Sequence, residues 1–261
     1  MRFYKYQGTG NDFVMIDNRS RFFDIQNNQL VKHLCDRRFG IGADGLILLQ
    51  TKPDQMLEMI YYNSDGNIGS MCGNGGRCFV QFSKDLGLFD QALTFDAPDG
   101  EHFAKIEQGL IYLKMINVES INYHENGDIF MNTGSPHHIS FVKDLEQFDV
   151  VQKGKSIRYS EAYAPAGTNV NFIEIKDQTL WVRTYERGVE EETYSCGTGV
   201  TASALAANGK GMKSPIAIKT LGGNLKVAFS DKGNGRFEEI FLIGPAVKVY
   251  EGDIELYLQL I

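Results

Sequence analysis

Much of the chain alternates between apolar and polar positions with a period of two, the pattern of half-buried β-strands. FVMIDN (13–18), GLILLQ (45–50), LEMIYYN (57–63), LIYLKMI (110–116), NFIEI (171–175), LWVRTYE (180–186), IAIKTLGG (216–223), LKVAFS (225–230), EIFLIGPAVKVYEG (239–252) and IELYLQL (254–260) all read as strands. They are rich in β-branched and aromatic residues and are bounded by Gly, Asn and Asp. Helical patterning is confined to QNNQLVKHLCDRRF (26–39), GRCFVQFSKDLGL (76–88) and GTGVTASALAANGKG (197–211). In the last of these, alanines face a packed core, and Gly209 and Gly211 supply stop signals. Strands outnumber helices, so the fold class is α+β with mostly antiparallel sheets.

A weak internal repeat refines this picture. YYNSDGNIGSMCGNGGRCFVQFSKDLG (61–87) has a counterpart in TYERGVEEETYSCGTGVTASALAANGKG (184–211). Each runs from an aromatic strand end through an acidic loop to Cys-Gly-x-Gly and then into a helix. Cys72 and Cys196 lie about half the chain apart, as in two like domains that each offer one helix start to a shared cleft. Equal division places the border at Asn117–Val118. The expected domains are 1–117, completed by a C-terminal strand at 252–261, and 118–251.

Composition narrows the partners. The chain has 261 residues, 43% hydrophobic and 23% charged, which is ordinary globular usage with room for two cores. The net charge is −7 without a basic block, so nucleic acid is not an expected partner. No apolar run approaches the roughly 20 residues that cross a bilayer. MRFYKYQGTGNDFV lacks the apolar core of a signal peptide. Four cysteines in a chain of this size do not form a secreted disulfide framework, so a cytoplasmic protein with reduced thiols is expected.

The cysteines then carry the chemistry. Cys72 and Cys78 are too widely spaced for a zinc knuckle, and no C-x-x-C redox pair is present. The adjacent His137 and His138 would point different ways on a strand, so no metal is expected. GNGGRC lacks the lysine of a phosphate loop. Cys35 and Cys78 read as small buried hydrophobes. That reading does not account for the glycines and the repetition around Cys72 and Cys196. A cysteine at a helix N-terminus is acidified by unpaired N–H groups and the positive dipole end. The same N–H groups hold a carboxylate, which glycines let approach closely. Two such thiols in one cleft would invert a carbon centre: one takes a proton, the other returns one to the opposite face. Fixed donors on the adjacent carboxylate stabilise the developing charge without a cofactor.

Along essentially its whole length the chain resembles diaminopimelate epimerases. The resemblance rests on GTGNDFV (8–14), RRFGIGADGLI (37–47), NSDG (63–66), MCGNGGRC (71–78), GSPHH (134–138), GTNVNF (167–172), YERG (185–188) and SCGTG (195–199). It implies two pseudo-symmetric domains, each a curved sheet around a central helix, with the active site between them. It further implies an isomerase that uses no cofactor and interconverts LL- and meso-2,6-diaminopimelate for lysine and peptidoglycan precursors, acting as a homodimer. Carried over by motif, Cys72 and Cys196 are the acid/base pair, and His137 and Glu186 tune the thiols. Gly73, Asn74, Gly197 and Thr198 hold the reacting carboxylate. Asn11, Asn63 and Asn169 supply amides to the substrate, as does Glu186 a carboxylate and Arg187 a bidentate clamp. Two positions depart from the family pattern. Gly45 stands where members often carry Gln, and Ser135 where they often carry Asn. The rival readings are a proline racemase or hydroxyproline epimerase of similar fold, a pyridoxal phosphate racemase, and a non-catalytic ligand-binding or thiol redox-sensing protein.

Overall fold

A computed structural model describes residues 1–69 and 71–255. The chain forms two compact units: Met1–Leu113 with a segment that returns at Pro245, and Lys114–Gly244. The first unit contains β1 (Arg2–Gly8), β2 (Asn11–Asp17), α1 (Asn28–Cys35), β3 (Gly45–Thr51), β4 (Leu57–Asn63), α2 (Gly73–Asp85), β5 (Ala92–Ala97), β6 (Gly100–Glu107) and β7 (Leu110–Lys114). The second contains β8 (Asn122–Tyr123), β9 (Ile129–Asn132), β10 (Pro136–Phe141), α3 (Val150–Arg158), β11 (Asn169–Lys176), β12 (Thr179–Glu186), β13 (Glu191–Thr193), α4 (Gly197–Asn208), β14 (Ile216–Thr220), β15 (Gly223–Asp231) and β16 (Phe237–Gly244). β17 (Val247–Asp253) then joins the first unit.

The repeat in the sequence is a repeat in topology. In the first unit the strands run β17-β1-β2-β3-β4-β5-β6-β7, and in the second β8-β9-β10-β11-β12-β14-β15-β16. Both sheets have the same succession of pairings. They are antiparallel throughout except β2–β3 and β4–β5 in one, and β10–β11 and β12–β14 in the other. Parallel neighbours need a crossover, and the helices supply it: α1 and α3 at the first parallel pair, α2 and α4 at the second. The registers match too. Phe13 lies opposite Gly45 in one sheet, and His137 opposite Asn169 in the other.

Each sheet buries both faces. On one, α1 packs Val31 and Leu34 against Val14, Ile16 and Leu48, and Val150 of α3 packs with Phe172 and Tyr185. On the other lies a central helix. α4 is apolar nearly all round, as a helix enclosed by a sheet must be, and packs Val200 and Leu205 among Ile139, Ile173, Val182, Val227 and Leu242. Burying each such side chain contributes roughly 1.5–3 kcal/mol. Double coverage explains why β3 reads as a continuous apolar run with Gly45–Gln50 all buried.

Strands β1, β5, β6, β8, β9, β10 and β13 are not among those read from the pattern, and three further features depart from it. Helix α3 was not signalled, because VVQKGKSIR buries only Val150 and Gly154. Tertiary contact makes it: Asp149 caps the Gln152 N–H, and a Cβ on Gly154 would come 2.4 Å from Tyr185 Cβ, so only glycine lets the helix lie this close to β12. EIFLIGPAVKVYEG is two strands, since Pro245 lacks the N–H a ladder needs. Finally, the chain crosses between units at Leu113–Lys114, before Asn117, and returns at Pro245, before 252. The return must begin early enough to pair β1 along its length, from Gln7–Val247 to Arg2–Asp253. All but the first two residues of the expected strand IELYLQL lie outside the described residues.

Candidate active site

Cys72 is the N-cap of α2 and Cys196 the N-cap of α4. Both have extended backbone, and neither caps its helix with its own side chain. The first helical hydrogen bonds are Gly76 N–H to Cys72 O at 2.7 Å and Val200 N–H to Cys196 O at 2.8 Å. In each unit a thiol therefore stands beside first-turn N–H groups that have no partner within a helix, a ready anion site.

In the first unit, the Cys72 thiol donates to Asn11 Oδ1 at 3.6 Å, and Asn11 Nδ2 donates to Asp44 Oδ2 at 2.8 Å. Arg37 bridges Asp44 and Asp12, and Lys5 pairs with Asp12 at 2.7 Å. Burial pushes the Asp12 carboxyl up, but hydrogen bonds from Arg37 and Lys5 prevail and hold it well below the usual range. Beneath the helix start, Arg77 is fully buried. It donates through Nη1 to Gly73 O at 3.2 Å and through Nη2 to Thr9 Oγ1 and Asn74 Oδ1, both at 3.0 Å. Asn74 is thus oriented with its oxygen toward the cation. Burial lowers the Arg77 pKa to about 10, so the group stays charged at neutral pH.

Asn63 is exposed at the end of β4 and accepts from Tyr61 Oη at 3.0 Å. The Tyr61 ring occupies the space that a side chain at Gly45 would need: a Cβ there would lie 2.7 Å from Tyr61 Cε2, and one at Gly69 2.6 Å from Cε1. The missing side chain at position 45 is therefore replaced by an aromatic ring that reaches Asn63.

In the second unit, Thr198 Oγ1 lies 3.4 Å from Cys196 Sγ and 2.9 Å from His137 Nε2. His137 Nδ1 accepts from Asn171 Nδ2 at 3.0 Å, and Asn171 Nδ2 also donates to His138 O at 3.1 Å. Thr184 donates to Asn171 Oδ1 at 2.9 Å. His137 and Asn171 have no exposed surface. Burial, aided by Arg187, lowers the His137 pKa to about 3, so the imidazole is neutral. Asn169 donates to Pro136 O and accepts from the Arg187 N–H, bracing β10 and the end of β12. Glu186 accepts from Thr193 at 2.8 Å. Ser135 precedes β10, and its carbonyl accepts from Thr133 N–H.

The two helix starts are equivalent in backbone and opposite in lining. A Cβ at Gly75 would meet Ile47 and Phe13, whereas one at the matching Gly199 would meet Asn171 and His137. The remaining thiols are buried; burial pushes Cys35 up to about 12 and Cys78 higher still.

Sequence reading passed over Thr9, Asp44, Tyr61, Arg77, Asn171 and Thr184. Signals for two of them were present. Arg77 is a charge on the otherwise apolar face of a glycine-rich helix start. Asn171 shares a strand face with Asn169 by the period of two, polar where a core strand is apolar.

A family model described as diaminopimelate epimerase matches residues 3–115 and 129–249. A diaminopimelate epimerase from Flavobacterium psychrophilum is 54% identical, over 97% of this chain and all of its own length. Among solved structures, a Bacillus anthracis phenazine biosynthesis protein of the PhzF family superposes with a TM-score of 0.76 at 13% identity, covering 98% of this chain and 99% of its own. A probable proline racemase from Agrobacterium radiobacter gives a TM-score of 0.69 at 14% identity, covering 98% and 93%. At such identities the two structures share the fold alone.

Proposed function

Because the chain belongs to the diaminopimelate epimerase family, we propose that it interconverts LL-2,6-diaminopimelate and meso-diaminopimelate without a cofactor, with Cys72 and Cys196 as the two bases. The observation that carries the mechanism is the pair of N-cap cysteines, each followed by glycine and then by a short polar side chain held from beneath. One thiolate removes the α-proton. The electron pair spreads into the carboxylate, where helix N–H groups with Asn74 or Thr198 stabilise it. The other thiol delivers its proton to the opposite face, so the centre inverts. Arg187 and the amides of Asn11, Asn63 and Asn169 serve the charged groups of the substrate, which are costly to bury unpaired. Glu186 stands beside Arg187 in the same role.

The four cysteines are free, and no described helix is long and apolar enough to cross a membrane, which supports a cytoplasmic enzyme. The exposed Val247, Val249 and Tyr250 on β17 support a homodimer, checked by sedimentation.

The test is exchange in D₂O. Deuterium enters the α-carbon of LL- or meso-diaminopimelate, and Cys72→Ala or Cys196→Ala abolishes epimerisation. Exchange of proline or hydroxyproline with none of diaminopimelate overturns the substrate. Full activity in either alanine variant overturns the two-base mechanism, and no exchange of any amino acid favours a binding or sensing role.

A further inference from the structure

Arg77 carries a full charge into the interior of the first unit, and from its partners we infer that it is a positioning residue of the reaction. It holds the Asn74 amide and keeps a fixed positive charge under the start of α2, where the Cys72 thiolate forms and the substrate carboxylate binds. The inference rests on the two-thiol reading and adds a residue to it.

The side chain has no exposed surface. Its donors meet Gly73 O at 3.2 Å, Thr9 Oγ1 and Asn74 Oδ1 at 3.0 Å, and Pro245 O, at the start of the returning segment, at 3.4 Å. A guanidinium has five N–H donors and no acceptor, so the Asn74 end that faces it is the oxygen, and Nδ2 is turned away from the cation. Gly8 leaves room for this arrangement: a Cβ there would lie 3.3 Å from Arg77 Nη2 and 3.1 Å from Asn74 O.

All four acceptors are neutral, and among the described residues no carboxylate pairs with Arg77. The other charged groups on this side, Lys5, Asp12, Arg37 and Asp44, pair with one another. Cys78 is buried next to Arg77 in the chain, but burial keeps it a thiol, so it does not neutralise the charge. A buried charge with only neutral partners is costly. The second unit shows that the fold does not require it. Thr201 occupies the position after Cys196 that Arg77 occupies after Cys72. It is equally buried and holds the matching carbonyl, Gly197 O, at 2.9 Å with a hydroxyl. A first-turn carbonyl therefore needs no cation beneath it. What the guanidinium adds in the first unit is charge, together with its hold on Asn74.

A positive charge favours an anion beside it. In a dry interior the effect is stronger than in water, and Arg77 interacts electrostatically with Cys72. The carboxylate that α2 N–H groups and Asn74 hold gains negative character as the α-proton leaves, so the same charge stabilises it most in the transition state.

The experiment is alkylation of full-length, substrate-free protein by iodoacetamide across pH, each cysteine followed by peptide mass. Arg77→Gln keeps donors but loses the charge. It raises the Cys72 midpoint by about one unit, about a tenfold slowing at neutral pH, and leaves Cys196 unmoved. Arg77→Lys keeps the charge and restores most of the shift. Each shift is a difference between variants, so the other partners of Cys72 cancel. With diaminopimelate, kcat of Arg77→Gln stays below the parent even above the raised midpoint, because the carboxylate has lost the charge as well. An unmoved Cys72 in Arg77→Gln, an Arg77→Lys that shifts as far as Arg77→Gln, or full kcat at high pH overturns the assignment. If Arg77→Gln does not fold, Asn74→Asp decides whether the charge is uncompensated. It sets a carboxylate against the guanidinium and is at least as stable in urea as the parent; lower stability overturns the inference. Alkylation and urea readouts do not depend on which amino acid is turned over, so they stand apart from a failure of the substrate assignment.

Discussion

Gly199→Ala and Gly75→Ala place the same methyl group at matching turns of the two central helices, yet their costs differ because the linings differ. At Gly199 the new Cβ lies 2.3 Å from Asn171 Oδ1 and 3.2 Å from His137 Cε1, where ordinary contact begins at 3.4 Å. Asn171 must retreat by about 1 Å in a close-packed interior. Its bonds to Thr184 at 2.9 Å and to His137 at 3.0 Å then break. Two buried polar groups left unsatisfied cost about 1–3 kcal/mol each, and alanine returns about 1 kcal/mol of helix propensity. The net loss is about 1–5 kcal/mol. At Gly75 the contacts are Ile47 Cδ1 at 3.1 Å and Phe13 Cζ at 3.4 Å. Side-chain ends yield by tenths of an ångström, the propensity gain offsets the strain, and stability changes by less than about 1 kcal/mol. Guanidinium denaturation of the two variants and the parent measures both. If Gly199→Ala matches the parent, or Gly75→Ala loses as much as Gly199→Ala, the buried network does not constrain α4 as described.

Acid should destabilise the fold through the same network. The His137 pKa is about 3 in the folded chain against an ordinary value of 6.5, and burial lowers His138 as well. The unfolded chain therefore takes up protons first as pH falls. Stability from neutral burial is complete above about pH 6.5 and declines from there toward pH 3, at up to about 1.4 kcal/mol per pH unit for His137. Denaturation midpoints of parent and His137→Asn between pH 7 and pH 5 check this, the variant showing the shallower decline. Asp149→Ala removes the side chain that caps Gln152 N–H and costs about 1 kcal/mol, read by the same denaturation assay, with deuterium exchange of diaminopimelate unchanged because α3 lies outside the thiol networks.

Residue pattern alone determined the class of fold, the central helices and the equivalence of the two cysteines, because these depend on local periodicity and on glycine at a helix start. LEMIYYN coincides with β4 residue for residue, since period-two burial is written into adjacent side chains. Other features were decided only by tertiary contact. Helix α3 exists because Gly154 fits against Tyr185, a pairing more than thirty residues apart that no local period records. Tyr61 fills the space above Gly45, although the glycine on its own reads as a missing contact. The difference between the thiols is equally non-local. Phe13 and Ile47 occupy one helix start and His137 and Asn171 the other, and only pairing of β2 with β3 and of β10 with β11 puts those residues side by side. Sequence marks both cysteines as alike because their immediate neighbours are alike. Their surroundings separate them: Asn11 stands beside Cys72, and Thr198 with the buried His137 and Asn171 beside Cys196, and all but Thr198 are brought in by the fold from distant strands.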